Sequence, residues 1–321
     1  MKAVQINQYG TNDVLEVNEN ASEPMLKDGQ LLVAVYAASI NPVDLAIRAG
    51  YLSKMVPLQF PVTLGGDFAG RVKGVGEGAS DFKVGDEVFG QATVLNGGSG
   101  SFAQVVAANS SNTALKPKTI GFEGASALPL VGVSAVQALE EHIKLGKDPA
   151  FAKVVDKQKI LIHGGAGGIG HLAIQLAKSL GAYVATTVSR DDVAFVKALG
   201  ADEVIDHNSQ SFETLLKDYD AVFDTVGGET TNKSFAVLKS GGVLVSMLGK
   251  PDEKIAEEKG ITAIGQKTDT TTKRLQRLVE LVDSGKMKVS IDKVYSLEQI
   301  KEAANHQETY PQGKIVLKIR E

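Results

Sequence analysis

The chain has 321 residues, of which 43% are hydrophobic and 22% charged, with a formal net charge of −4 and no cysteine. This is the make-up of a globular protein of about two domains. The charge speaks against a basic nucleic-acid-binding stripe, and the missing thiols exclude disulfides, thiolate catalysis and thiolate metal sites. The five histidines, His142, His163, His171, His207 and His306, form no pair at helical metal-ligand spacing, so no metal site is expected.

The N-terminal "MKAVQINQYG" lacks a signal-peptide apolar core and reads as a strand. "QLLVAVYAASI" (Gln30 to Ile40), "FAGRVKGVG" (Phe68 to Gly76), "VGDEVFGQA" (Val84 to Ala92) and "SFAQVVAA" (Ser101 to Ala108) are further predicted strands. Short strands separated by Gly and Asp turns predict a barrel-like β domain. The longest apolar run, "ALPLVGVSAVQAL" (Ala127 to Leu139), is broken by Pro129, Gly132, Ser134 and Gln137. It falls short of the roughly 20 residues of a membrane span, so a cytoplasmic protein with no membrane partner is expected.

From about Gly121 the pattern alternates between helix and strand. "ILIHG" reads as a strand, and Ile169, Leu172, Ala173, Leu176, Ala177 and Leu180 follow helical spacing. "AYVATTV" (Ala182 to Val188), "DEVID" (Asp202 to Asp206), "AVFDTVG" (Ala221 to Gly227) and "GVLVSMLG" (Gly242 to Gly249) are predicted strands, with "DDVAFVKALG" (Asp191 to Gly200) a short helix. Repeated βα units predict a doubly wound parallel sheet. A one-sided helix, "TKRLQRLVELVDSG" (Thr272 to Gly285), carries Leu275, Leu278, Val279 and Val282 on its apolar face. A strand near Val289 to Tyr295, a helix "LEQIKEAANH" and a strand "KIVLKI" (Lys314 to Ile319) follow. The pattern leaves these last elements free to extend the parallel sheet or to return to the first domain.

Between strand and helix, Gly165-Ala166-Gly167-Gly168-Ile169-Gly170 fits G-x-G-x-x-G. In that context the match signifies a dinucleotide-binding loop. Gly165 is expected to permit the tight turn, Gly167 to admit a pyrophosphate, and Gly170 to let helix and strand pack closely. The helix N-terminus offers N–H groups and partial positive charge to phosphates. The next strand ends in uncharged residues followed by Ser189 and Arg190. A hydroxyl and a guanidinium suit the 2′-phosphate of NADPH. Asp191 and Asp192 suit the first turn of the following helix, or, with a slipped register, an NAD-selecting acid.

Together these segments resemble the medium-chain dehydrogenase/reductase superfamily, in its branch of zinc-free quinone oxidoreductases and alkenal or enone reductases. "AASINPVDLAIRAGY" (Ala37 to Tyr51), "GGDFAGRVKGVGEGASDFKVGDEVFG" (Gly65 to Gly90), "HGGAGGIGHLAIQLAKSLGA", "FVKALGADEVID" and "GKIVLKI" carry the resemblance, which covers nearly the whole chain. It implies an α/β chain: a GroES-like β-barrel-type domain over about 1–125, a Rossmann domain over 126–265 and a return to the first domain over 266–321. It also implies a homodimer, through "GVLVSMLG" as the edge strand. Gly65-Gly66-Asp67 stand where zinc-dependent members carry Gly-His-Glu, and His207 stands where many relatives have Tyr.

The resemblance places Asn41, Asp44 and Tyr51 in a cleft facing the nicotinamide. Read from the residues alone, Asn41 before Pro42 suits a turn and Asp44 suits a helix cap. The resemblance also places Ser134, Leu248, Gly249 and Lys314 near the cofactor, and a phosphate contact suits His207. The expected activity is NADPH-dependent reduction of a quinone or of the C=C bond of an α,β-unsaturated carbonyl. A metal-free alcohol dehydrogenase and a non-catalytic NADPH-binding protein are the alternatives.

Overall fold

A computed structural model describes residues 1–55, 57–146 and 158–321. The chain divides into two compact units, Met1–Val133 with Thr270–Ser284 and Val289–Glu321, and Ser134–Asp269 with Gly285–Lys288. The division expected at residue 125 thus falls at Val133, and the return expected at 266 begins at Thr270. Residues 147–157, inside the span assigned to the nucleotide domain, lie outside the described residues.

The first unit is built on the Gln30–Ile40 strand. Its sheet runs, in spatial order, Ile291–Ser296, Lys314–Lys318, Gln30–Ile40, Asp67–Val75, Glu87–Gln91 and Thr113–Leu115, with Val105–Asn109 also paired to Gln30–Ile40. A three-stranded sheet joins Glu16–Asn18, Ala3–Ile6 and Val62–Thr63. The last two predicted strands therefore return to this unit. Lys314–Lys318 pairs antiparallel with Gln30–Ile40, placing Ile315 opposite Ile40. Ser39 lies opposite Asp67 on the other side. These two registers bring residues from three distant parts of the chain to one level of the sheet.

Two apolar clusters include residues of Gln30–Ile40. One contains Ile6, Ile40, Leu64, Phe102 and Leu317, the other Leu31, Val33, Val35, Phe68 and Val88. Each large side chain so buried contributes about 1.5–3 kcal/mol. The strand expected from Ser101 begins only at Val105. The amides of Ser101 and Phe102 instead bond the carbonyls of Gly65 and Leu64. The helix Thr272–Asp283 is capped by the Thr271 hydroxyl and buries Leu275, Leu278, Leu281 and Val282. Leu281 takes the buried position expected for Val279, which is only half-buried.

The second unit holds six parallel strands in the order Glu203–Asp206, Tyr183–Val188, Lys159–His163, Tyr219–Asp224, Leu238–Ser246 and Thr262–Gly265. This is a doubly wound Rossmann order. The helix Gly170–Ser179 buries Leu172, Ala173, Leu176 and Ala177 as its spacing requires. Tyr219–Asp224 stops short of its expected end because the Asp224 carboxylate takes the amides of Val226 and Gly227 at 2.9 and 3.0 Å, folding a turn there. Thr262–Gly265 is a sixth strand that the sequence pattern did not reveal. It corrects the expected edge: "GVLVSMLG" lies in and just after Leu238–Ser246, which is paired on both sides. The edge belongs to Thr262–Gly265.

Among the described residues, no helix is long and apolar enough to cross a membrane. The broken run from Ala127 to Leu139 forms a helix, Pro129–Val136, followed by a wider π-type turn, Gln137–His142.

Candidate functional site

In the second unit the glycine loop follows the Lys159–His163 strand and leads into the Gly170–Ser179 helix. The amides of Gly164 and Gly165 both bond the Thr187 carbonyl on the neighbouring strand, at 3.1 and 3.2 Å. The left-handed residue of the turn is Gly164, at φ 69°, rather than Gly165. Gly165 is required for space: a Cβ there would lie 2.1 Å from Thr186 Oγ1. A Cβ on Gly170 would lie 2.1 Å from the Gly164 carbonyl oxygen, so this glycine packs the helix onto the loop itself. A Cβ on Gly167 would meet only the Gly164 oxygen, at 3.5 Å. Its bareness serves no internal packing and leaves the backbone open beside Ala166, Gly168 and Ile169. These residues fit the pyrophosphate of a dinucleotide at the first turn of a helix.

A buried polar network supports this loop. His163 is fully buried, with Nδ1 3.0 Å from Thr187 Oγ1 and Nε2 3.0 Å from Ser234 Oγ. Its backbone carbonyl accepts from Thr225 Oγ1 at 2.7 Å. Burial drives the His163 ring down to about 4, against the opposing pull of Asp224 and Glu213. It is neutral at neutral pH. Sequence reading placed it only among the five histidines that form no metal-ligand pair.

At the end of the neighbouring strand, Ser189 precedes a short turn Arg190–Asp192 that leads into the Val193–Ala198 helix. Asp191 and Asp192 lie in that first turn, the position that favours acids. Ser189 donates to Asp192 Oδ2 at 2.5 Å, so its proton is already committed. Arg190 is exposed. Asp206, at the end of the next strand, is held below the ordinary carboxylate range by the Ser209 hydroxyl and the Asn208 amide, with Arg190 adding positive charge. His207 is exposed, and its amide bonds the Val188 carbonyl at 3.1 Å. Leu248 is 65% exposed and precedes Gly249, whose φ is 118°. Ser134 is fully buried, its hydroxyl 2.7 Å from Thr268 Oγ1 and its carbonyl bonded by Gln266 Nε2 at 3.0 Å.

In the first unit, Asn41 caps the helix Pro42–Arg48, with proline at its first position. The Asn41 amide donates to Asp44 Oδ2 at 2.8 Å. Asn41 Nδ2 donates to Asp67 Oδ2 at 2.9 Å, and Asn41 Oδ1 accepts from Lys314 Nζ at 2.5 Å. Lys314 Nζ also bonds the Ile40 carbonyl at 2.6 Å. Asn41, Asp44, Asp67 and Lys314 are all buried, so Lys314 is an internal cation and not a solvated one. Burial lowers it to about 8, which leaves it protonated at neutral pH. Tyr51, by contrast, is 82% exposed and does not join the cluster. Asp67 is the member that sequence reading missed as a site residue. The one available signal was its place in the Gly-Gly-Asp that replaces Gly-His-Glu.

Two family models match the chain: the alcohol dehydrogenase GroES-like domain over residues 27–119 and the zinc-binding dehydrogenase over residues 199–317. The chain is 36% identical to the 2-methylene-furan-3-one reductase of Solanum lycopersicum, over 99% of this chain and 79% of that protein. It is 34% identical to the chloroplastic NADPH-dependent alkenal/one oxidoreductase of Arabidopsis thaliana, with the same coverage. The solved quinone oxidoreductase from Coxiella burnetii is 34% identical and superimposes with a TM-score of 0.89, covering 100% of this chain and 99% of that one. The chain belongs to the medium-chain dehydrogenase/reductase superfamily. Within it, the chain falls in the zinc-free quinone oxidoreductase and alkenal reductase branch, and it is an oxidoreductase.

Zinc-dependent superfamily members use Cys and His ligands, and the donor set here does not fit that metal. The chain has no cysteine. Among the described residues no group of three or more His, Asp or Glu side chains is placed to hold an ion. Where Gly66-Asp67 replace the histidine-bearing motif, the buried cation is the Lys314 ammonium, joined to Asp67 through Asn41.

Proposed function

We propose that the protein is an NADPH-dependent, zinc-free reductase that transfers hydride to quinones or to the C=C bond of α,β-unsaturated carbonyls. The observation that carries the cofactor part is the Gly164–Gly170 loop. Gly165 and Gly170 are required by internal packing, whereas the bareness of Gly167 is useful only to something outside the protein. NADPH supplies the hydride when bound. The loop amides and the helix N-terminus hold its phosphates, and the exposed Arg190 reads the 2′-phosphate.

The substrate class follows from what the chain offers to polarise an oxygen. A conjugated acceptor takes hydride at a carbon remote from its oxygen, and the enolate or hydroquinone anion then needs only hydrogen-bond donors. Oxidising a simple alcohol would need a strong base or a metal, and the donor set does not fit a metal. The names of the reductase and oxidoreductase relatives support the same substrate class. The homodimer expected from the resemblance is proposed through the Thr262–Gly265 edge.

Chromatography of the product formed from an enone and NADPH tests this reading. The saturated ketone with its carbonyl intact is expected. An allylic alcohol as the main product, or a simple alcohol oxidised faster than any conjugated acceptor is reduced, overturns it.

A further inference from the structure

Two carboxyls and one ammonium are shut inside the first unit. Asp44, Asp67 and Lys314 are 1, 0 and 2% exposed. Fully ionised, they would leave one uncompensated negative charge in a dry interior, which is costly enough to bring a proton in. The hydrogen bonds decide which carboxyl takes it.

Asp67 is surrounded by donors. Asn41 Nδ2 reaches it at 2.9 Å, the Leu130 amide lies 3.2 Å from both its oxygens, and the Ser39 hydroxyl lies 3.4 Å away. Burial raises Asp67 above the ordinary carboxylate range, and the Lys314 charge and the Gln91 side chain join these donors in opposing it. Such a setting favours the ionised form. Asp44 receives the Asn41 backbone amide on Oδ2, while among the described residues no group bonds its buried Oδ1. Beside that oxygen lies the bare face of Gly66. A Cβ there would stand 3.6 Å from Asp44 Oδ1, 3.9 Å from Gln91 Nε2 and 3.5 Å from Thr93 Cβ. Those are ordinary contact distances, so a methyl group on Gly66 would rest against Asp44 Oδ1 without displacing it.

We propose that Asp44 holds a proton on Oδ1 up to near-neutral pH, and that Asp67 is the positioning residue that keeps it there. The Asp44 O–H then lies on the side of Gly66 and of the Gln91 amide. Burial first, and then the charge of Asp67, push Asp44 up to about 7, with Lys314 pulling the other way. The charged groups facing Asp44 are thus Asp67 from the Asp67–Val75 strand and Lys314 from the Lys314–Lys318 strand. Under the reductase reading, on which only the kinetic arm rests, this is where the proton that follows the hydride is held.

Carbon-13 NMR of protein labelled at the aspartate carboxyls tests the assignment. Resonances are identified by their loss in Asp44→Asn and Asp67→Asn. The Asp44 signal should sit at the protonated position below neutral pH and titrate near neutrality, while Asp67 stays at the carboxylate position. An Asp44 that is ionised at pH 5, or a protonated signal belonging to Asp67, overturns the proposal. If Asp44→Asn fails to fold, Gly66→Ala serves instead. It sets a methyl group against Oδ1 and should move the one titrating signal, and an unmoved signal overturns the placement of the proton on Oδ1. In the kinetic arm, enone turnover should fall as pH rises through that midpoint. Asp44→Asn should turn over at least tenfold more slowly, with NADPH binding unchanged. A wild type that reduces no enone or quinone refutes the reductase reading, and the NMR result then judges the proton alone.

Discussion

Gly170 lies against the carbonyl of Gly164 so closely that a Cβ would come within 2.1 Å of the oxygen, whereas the same addition at Gly167 meets that oxygen at 3.5 Å. The two glycines therefore answer to different demands. Gly170→Ala forces backbone apart and should cost about 1–3 kcal/mol of stability as well as NADPH affinity. Gly167→Ala should leave the thermal midpoint near wild type and still weaken NADPH binding. Calorimetry beside a fluorescence titration checks this. Gly167→Ala binding NADPH as tightly as the wild type would remove the loop from the phosphate site.

Arg190 is exposed, and Ser189 already donates to Asp192 at 2.5 Å. Arg190 is thus the stronger candidate for reading a 2′-phosphate. Losing a charge-assisted hydrogen bond costs roughly 1.5–3 kcal/mol. Arg190→Ala should raise the NADPH Kd about tenfold or more and barely move that of NADH. Ser189→Ala should do less. Equal losses for the two cofactors in Arg190→Ala would show that the guanidinium does not discriminate between them.

Asn41 and Tyr51, both expected to line a cleft, should behave differently. Asn41 joins Lys314 to Asp67 in the interior, so Asn41→Ala strands a buried cation and should cost about 3–5 kcal/mol of stability. Tyr51 is 82% exposed, so Tyr51→Phe should fold like the wild type and lower turnover more than NADPH affinity. Urea unfolding and steady-state kinetics on the two variants separate these cases. A Tyr51→Phe enzyme with wild-type kcat would exclude its hydroxyl from the reaction.

What was legible in the sequence was local. The glycine loop, the helix that follows it and the acids in the Arg190–Asp192 turn each depend on residues a few positions apart, and each formed where spacing placed it. The Asp67–Asn41–Lys314 cluster depends instead on strand registers. Ser39 opposite Asp67 and Ile40 opposite Ile315 bring chain segments more than 200 residues apart to one level, and no periodicity along the chain encodes that pairing. The Thr262–Gly265 strand escaped because Thr-Ala-Ile-Gly carries neither an alternation nor a run of branched apolar residues.

His163 and Asp44 give stability two opposed dependences on pH. Burial lowers His163 from 6.5 to about 4. Below pH 6.5 the unfolded chain takes up a proton that the folded protein refuses, so this contribution is complete above 6.5 and is lost as pH falls toward 4. Its full size is about 3 kcal/mol. Burial raises Asp44 from 3.8 to about 7. The folded protein holds that proton where the unfolded chain has released it, so this contribution is complete below 3.8 and is lost as pH rises toward 7. Between pH 4 and 6.5 the two slopes oppose each other, and the wild type should show a shallow profile. Asp44→Asn should leave the His163 slope exposed, so that its thermal midpoint falls more steeply than that of the wild type between pH 6.5 and 4.5. His163→Asn should show the reverse, gaining relative stability as pH falls. Melting curves at half-unit pH steps measure both. An Asp44→Asn profile as shallow as the wild type's would mean that Asp44 does not carry its proton into the folded state.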